Sequence, residues 1–353
     1  MHIGVLTGGG DCPGLNAVIR AVTASLIHQA GARVTGIEAG FLGLIERRVR
    51  PLSLADVDGI VNLGGTILGT HNRANPFAYF GENGADVSDR VISYLDELAI
   101  DAIVAIGGDG TMDIANKFAE RGVNVVGVPK TIDNDIAEND RSFGFDSAVA
   151  VVAESIARLE TTAQSHGRVM IVETMGRYAG WIALESGLAG GVDVILIPEL
   201  PYDVDKVVAV CREREKTLGY SIICIAEGAK PRGGQMTVAA RIEGSTDPIR
   251  LGGVAQVLQH QLQSQLQSEV RSTLLGHVQR GGSPTAFDRV LATRFGHQAA
   301  QRVLRSEFGR MVALQGDTVT SVPLERIAGI NRTVPPNHSL LDAALALGVS
   351  FGQ

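Results

Sequence analysis

The sequence predicts an α/β fold of two lobes, each built on a mostly parallel sheet. Three observations carry that reading. Short apolar runs alternate with segments of helical periodicity. At 353 residues the chain exceeds one typical domain. Glycine-rich or charged turns follow the apolar runs directly, as where strands hand over to helices in a βαβ rhythm.

In chain order, Ile3–Leu6 reads as the first strand, and Leu15, Val18, Ile19, Val22 and Leu26 give the i, i+3, i+4 stripe of a helix. Val34–Ile37 is a second strand, and Val87, Val91, Leu95 and Leu98 mark another helix. Ala102–Ile106 is a strand that breaks at Gly107. A helix from about Thr111 to Gly122 follows, and then a strand at Val123–Val128. Further on, Phe145, Val149, Val152, Ile156 and Leu159 share one face of a long helix. Strands follow at Val169–Val172, Val194–Ile197, Ile222–Ile225 and Thr273–Leu275. The tail from Asn331, with Pro335 and Pro336, reads as an appendage ending in a short helix, Leu340–Leu347. No low-complexity linker separates the lobes, so the boundary near 138–145 is soft.

Apolar residues make up 45%, enough for a sizeable core, and with aromatics at 5% that core is built mainly from Val, Ile, Leu and Ala. A net charge of -7 argues against a duplex nucleic-acid binder, while a locally basic pocket can still take an anion. The cysteines Cys12, Cys211 and Cys224 form no CxxC pair, which suits free thiols in a reducing compartment. No segment approaches the ~18 unbroken apolar residues of a membrane helix. The opening MHIGVLTGGG is too glycine-broken for a signal peptide. The expectation is a cytoplasmic protein with neither nucleic-acid nor membrane partners.

Four stretches carry chemistry, each at or near a predicted strand end, where parallel sheets bind ligands. Gly8-Gly9-Gly10-Asp11-Cys12-Pro13-Gly14 lets backbone N–H groups approach phosphate oxygens at a helix start. As a dinucleotide fingerprint it is poor, because Pro13 takes the third glycine position and only Glu38 could serve a ribose; alone, it would be a plain tight turn. Gly107-Gly108-Asp109-Gly110-Thr111 makes a phosphate cradle with Asp109 as a possible Mg²⁺ partner. Asp109 could instead cap the next helix, and the same pattern occurs in NAD kinases and lipid kinases. In Pro129-Lys130-Thr131-Ile132-Asp133-Asn134-Asp135, one carboxylate can accept a substrate proton while the other orients it; a solvated turn is the alternative for Asp135. The last set, Met175-Gly176-Arg177, Glu227, Arg271 and His277-Val278-Gln279-Arg280, supplies arginines suited to bidentate phosphate recognition, though scattered arginines usually make surface pairs. A dehydrogenase leaves the TIDND stretch unexplained. A non-catalytic sugar-phosphate sensor would be expected to have lost Asp133 or Asp109.

The ordered series GGGDCPGLN, GGDGT, PKTIDND, ETMGR, AEG and GHVQRGG, spanning residues 8 to 282, resembles the 6-phosphofructokinase family. The resemblance implies two Rossmann-like lobes with the active site in the cleft between them. A nucleotide lobe would take residues 1–140 and about 278–326; a smaller sugar-phosphate lobe would take about 141–277 and the tail 327–353. It implies ATP and Mg²⁺, fructose 6-phosphate as acceptor, and a homo-oligomer, dimer or tetramer. It makes Asp133 the base for the sugar 1-hydroxyl and Asp109 the metal acid. Gly10, Arg73, Gly108, Gly110 and Thr111 fall at donor phosphates, and Phe41 near the adenine. Arg73 and Arg177 match arginines that neutralise the phosphoryl group in flight. Thr131, Asp135, Met175, Gly176, Glu227, His277 and Arg280 match contacts to the sugar phosphate, and Arg168 and Arg271 match arginines lent from a neighbouring subunit.

Donor choice turns on two positions. Pyrophosphate-dependent relatives carry an aspartate where this chain has Gly110, which leaves room for the ATP α-phosphate. Lys130, where many bacterial members have glycine, is typical of pyrophosphate-dependent and mixed-substrate members. Arg20 remains from the effector-site basic set of allosteric members. Ala24, Leu54, Glu160 and Thr217-Leu218-Gly219-Tyr220 replace the rest, so effector control is expected to be weak.

Overall fold

The computed structural model describes residues 1–241 and 249–353. In chain order its elements begin with β1 (His2–Thr7), α1 (Leu15–Ala30), β2 (Arg33–Ile37), α2 (Phe41–Ile45), β3 (Val49–Leu52), α3 (Ser88–Glu97), β4 (Ala102–Gly107) and α4 (Asp109–Glu120). Next come β5 (Val125–Thr131), β6 (Phe143–Gly144), α5 (Phe145–His166), β7 (Val169–Thr174), α6 (Trp181–Ala189), β8 (Val194–Leu196), α7 (Val204–Thr217) and β9 (Ser221–Ala226). The last are β10 (Val238–Arg241), β11 (Ile249–Leu251), α8 (Val254–Gln263), β12 (Val270–Leu274), α9 (Ala286–Leu304), β13 (Arg310–Gln315), β14 (Thr318–Pro323) and α10 (Ser339–Ala346). One unit comprises Met1–Ile132, Ile136–Ser147 and Arg280–Asn331; the other comprises Asp133–Asp135, Ala148–Gln279 and Arg332–Gln353.

In the first unit β1, β4 and β5 are buried along their whole length, which is why Ile3–Leu6, Ala102–Ile106 and Val125–Val128 read as apolar runs and not as alternating ones. The sheet order is β14-β13-β5-β4-β1-β2-β3, with β6 paired to the end of β5. The strands from β2 to β13 in that order are parallel; β3 and β14 close the edges antiparallel. Strand order reverses between β1 and β4. Their carboxyl ends therefore form the switch-point crevice where open α/β sheets take ligands. A core of Leu6, Ile37, Phe41, Tyr94, Ile103 and Phe118 lies beneath α2, α3 and α4, and α1 packs along α9.

The second unit has a parallel sheet, β12-β7-β9-β8. Val169, Ile171, Ile223 and Ile225 pack against Val207 and Cys211 of α7 and Leu258 and Leu262 of α8. The tail is not an appendage. Ser350 bridges Val194 in parallel, Ile195 N donates to Ser350 O at 2.9 Å, and Ser350 N donates to Asp193 O at 2.9 Å. The tail thus covers the open edge of β8.

The expected elements occur with shifted ends. β12 starts at Val270, because Arg271 and Ser272 interrupt the apolar run but still pair with β7. α4 starts at Asp109, two residues before Thr111.

Candidate active site

In the first unit, three strand ends converge. Gly8 N donates to Ile106 O at 2.8 Å, tying the start of the loop after β1 to the end of β4. Thr111, 5% exposed, fills the space under both: a Cβ on Gly107 would lie 2.2 Å from its Oγ1, so only glycine lets that turn close. α4 opens immediately after Gly108 with no side-chain cap on its first N–H groups, which leaves donors and the positive helix end for an anion. Asp109 is an exposed first-turn residue; Gly108 occupies the N-cap position, so Asp109 does not cap the helix. Gly110 is also exposed, and a Cβ there would meet nothing within 4 Å among the described residues.

Lys130 and Thr131 belong to β5 itself, and do not follow it. Lys130 is 3% exposed, its ammonium donates to Gly10 O, and burial lowers its pKa. Arg280 joins this cluster: its Nη1 donates to Asp11 O at 3.2 Å, and a Cβ on Gly10 would lie 2.8 Å from that nitrogen. Arg73 is exposed and held over the Phe80 ring at 4.8 Å, with Phe80 stacked on His71 at 5.2 Å. Phe41 departs from expectation. It is 2% exposed and stacked on Phe118 at 5.8 Å, so it is a core residue with no ring face open to a base.

In the second unit, Met175, Gly176 and Arg177 follow β7, Glu227 follows β9 and His277 follows β12, all at one sheet edge. Glu227 N donates to Thr174 O at 2.9 Å and Gly228 N to Gly176 O at 3.1 Å, where Gly176 has φ 129. Burial and the neighbouring Asp133 carboxylate push Glu227 up to about 7 against the pull of Arg177, so these three charges sit within one electrostatic neighbourhood. Asp133 and Asp135 are half-buried around Asn134, which is 2% exposed. His277 is exposed.

Two expected residues lie elsewhere. Arg168 immediately precedes β7, and Arg271 is the second residue of β12. Both pair with Glu269 at the amino end of the sheet. At ~3.3 Å per residue, Arg168 lies about 20 Å along the strand from Met175. The expectation that Arg271 follows a strand is therefore corrected.

Two residues inside the quoted motifs, given no role of their own from sequence, carry the site. Gln279, fully buried, receives Met175 N on its Oε1 at 3.2 Å and lies inside the GHVQRGG stretch, where its hydrogen-bonding capacity was the available signal. Glu173, 5% exposed, accepts Gly253 N at 3.0 Å and Ala255 N at 2.8 Å, fixing the start of α8 to β7. Among the described residues no group of three or more His, Cys, Asp or Glu forms a ready metal cage. Asp109 fits a different pattern, that of Mg²⁺ bound through one or two carboxylates plus substrate phosphates and water. Also among the described residues, no helix is long and apolar enough to cross a membrane.

The sequence profile of the family described as Phosphofructokinase matches residues 2–303. The chain is 48% identical over 359 residues to the ATP-dependent 6-phosphofructokinase 2 of Clostridium perfringens, covering 99% of this chain and 98% of that one. It is equally 48% identical, over 338 residues, to a pyrophosphate–fructose 6-phosphate 1-phosphotransferase of Amycolatopsis methanolica, covering 96% and 97%. Among solved structures, phosphofructokinase from Saccharomyces cerevisiae superposes with TM-score 0.80 at 31% identity; the match covers 92% of this chain but spans only 45% of the yeast one. A pyrophosphate-dependent phosphofructokinase from Nitrosospira multiformis shares the fold, with TM-score 0.83 at 21% identity, 99% of this chain and 92% of that one being covered.

Proposed function

The chain belongs to the phosphofructokinase family, and from that premise we propose that it transfers the γ-phosphoryl group of ATP to the 1-hydroxyl of D-fructose 6-phosphate in the cytoplasm, giving fructose 1,6-bisphosphate and ADP. The observation that carries the reading is the grouping around Glu227, whose raised carboxyl feels both the Asp133 carboxylate and the Arg177 guanidinium. Phosphoryl transfer has a loose transition state, so positioning and charge neutralisation supply most of the catalysis. Asp133 takes the proton of the 1-hydroxyl as its oxygen attacks phosphorus. Arg177 and Arg73 offset the charge on the transferring group. The uncapped start of α4, with Gly10, Gly108, Gly110 and Thr111, receives donor phosphates. Asp109 would hold Mg²⁺ against them, which neutralises phosphate charge. Thr131, Asp135, Met175, Gly176, Glu227, His277 and Arg280 orient the sugar phosphate.

Arg168 and Arg271 sit at the far end of the sheet from Met175, a position suited to serving a neighbouring copy; we assign them to the phosphate end of the partner's sugar in a homo-oligomer. Open space at Gly110 supports ATP. Pyrophosphate is the second reading, favoured by Lys130 beneath the first glycine loop. The test supplies fructose 6-phosphate with Mg·ATP and, in parallel, with Mg·pyrophosphate, and follows fructose 1,6-bisphosphate. Turnover with ATP supports the reading; turnover with pyrophosphate alone transfers it to the second.

A further inference from the structure

Resting on that reading, we propose that Arg332, in the C-terminal tail, is a positioning residue for the Asp133 base. Asp133–Asp135 is an isolated three-residue piece of the second unit. Its central residue, Asn134, is left-handed at φ 53 and buried, a conformation that its surroundings must hold in place. Arg332 supplies that hold at two consecutive peptides. Its backbone N donates to Asp135 O at 2.7 Å, and its Nη1 donates to Asn134 O at 3.1 Å.

Arg332 is itself anchored. Its guanidinium lies 4.2 Å from the ring centroid of Trp181, and Trp181 Nε1 donates back to Arg332 O at 3.2 Å. Trp181 is 2% exposed and opens α6, with His338 against its edge at 5.0 Å. Two residues on, Val334 N donates to Glu199 Oε1 at 2.8 Å, and the same carboxylate accepts Gly180 N at 3.0 Å. The base-bearing peptide is thus tied to the start of a buried helix through the backbone of Arg332 and, at Asn134 O, through its guanidinium, the part that substitution removes. The aim of the Asp133 carboxylate follows from the path of this peptide. A displacement of about 1 Å at a reacting group costs on the order of 10²-fold in rate.

The test compares full-length Arg332→Ala, Arg332→Lys and Asp133→Ser with wild type in kcat, KM for each substrate, thermal midpoint and emission of Trp181, the single tryptophan of the chain. Arg332→Ala is expected to lose about 10–100-fold in kcat with KM for ATP unchanged, to shift the Trp181 emission, and to regain part of its rate with millimolar guanidinium. Arg332→Lys keeps the charge without the planar fork and should fall between. The proposal is overturned by a folded Arg332→Ala within twofold of wild-type kcat, or by a loss that guanidinium does not relieve. If Arg332→Ala does not fold, Arg332→Lys decides: a reduced kcat with an unchanged KM for ATP supports the clamp, and wild-type turnover overturns it. Asp133→Ser separates the two claims. An active Asp133→Ser overturns Asp133 as base, whereas an inactive one beside a fully active Arg332→Ala overturns only the role of Arg332.

Discussion

Glu227→Gln should stabilise the unliganded protein at alkaline pH while impairing its work. The native carboxyl, half-buried beside Asp133, holds its proton up to about 7, against an ordinary 4.5. The unfolded chain releases that proton near the ordinary value, so between those two values the native state binds more protons. Wild-type stability therefore falls as pH rises through this window and levels off above it. At about 1.4 kcal/mol per pH unit the difference amounts to about 3 kcal/mol, and residual solvent contact reduces it to about 2 kcal/mol. Glutamine carries no charge at any pH and escapes this cost. Urea unfolding of both proteins at several pH values measures it. The unfolding free energies should lie close together at pH 4.5, with the variant pulling ahead by about 2 kcal/mol at pH 8. KM for fructose 6-phosphate should rise at the same time, because the amide accepts hydrogen bonds from sugar hydroxyls more weakly than the carboxylate. A variant that is less stable at pH 8, or a difference that does not change with pH, would refute the argument.

Arg168→Ala and Arg271→Ala should mainly raise KM for fructose 6-phosphate. Mixed oligomers of Asp133→Ser and Arg168→Ala protomers should regain activity, whereas mixed oligomers with none would rule out sharing of sites. Gly110→Asp should fold normally, since no described residue lies within 4 Å of the new Cβ, yet lose turnover with ATP. Lys130→Gly should keep measurable ATP turnover, and complete loss would show that the lysine is required for ATP. Saturation by fructose 6-phosphate should be nearly hyperbolic, with little response to ADP or phosphoenolpyruvate. Two of the replaced effector positions hold each other, Glu160 accepting a hydrogen bond from Tyr220 at 3.0 Å. Strong sigmoidality relieved by ADP would contradict this.

The central strands were legible because parallel strands covered on both faces carry unbroken apolar runs, as Ile3–Leu6, Ala102–Ile106, Val169–Val172 and Ile222–Ile225 do. The edges were not. β3 carries Arg50 and Pro51, and β14 alternates threonine and serine with valine, so neither shows a continuous run. The phosphate loops were legible because glycine at a strand-to-helix turn has a local meaning. Nothing in the sequence marks Lys130 as buried, and only the fold places its ammonium under Gly10. Phe41 fails in the opposite sense, being drawn into the core by Phe118. Arg332 lies outside every motif; its contacts with Asn134 and Asp135 span nearly 200 positions, a separation at which periodicity and turn chemistry carry no signal.

The role of Asp133 is tested most directly by steady-state kinetics of Asp133→Ser with fructose 6-phosphate and Mg·ATP. Serine removes the proton acceptor and leaves the surrounding phosphate and sugar contacts in place. The account predicts a fall in kcat of at least about 10²–10⁴-fold with KM for fructose 6-phosphate nearly unchanged. A variant that keeps near-normal kcat would contradict it and leave the 1-hydroxyl without its assigned base.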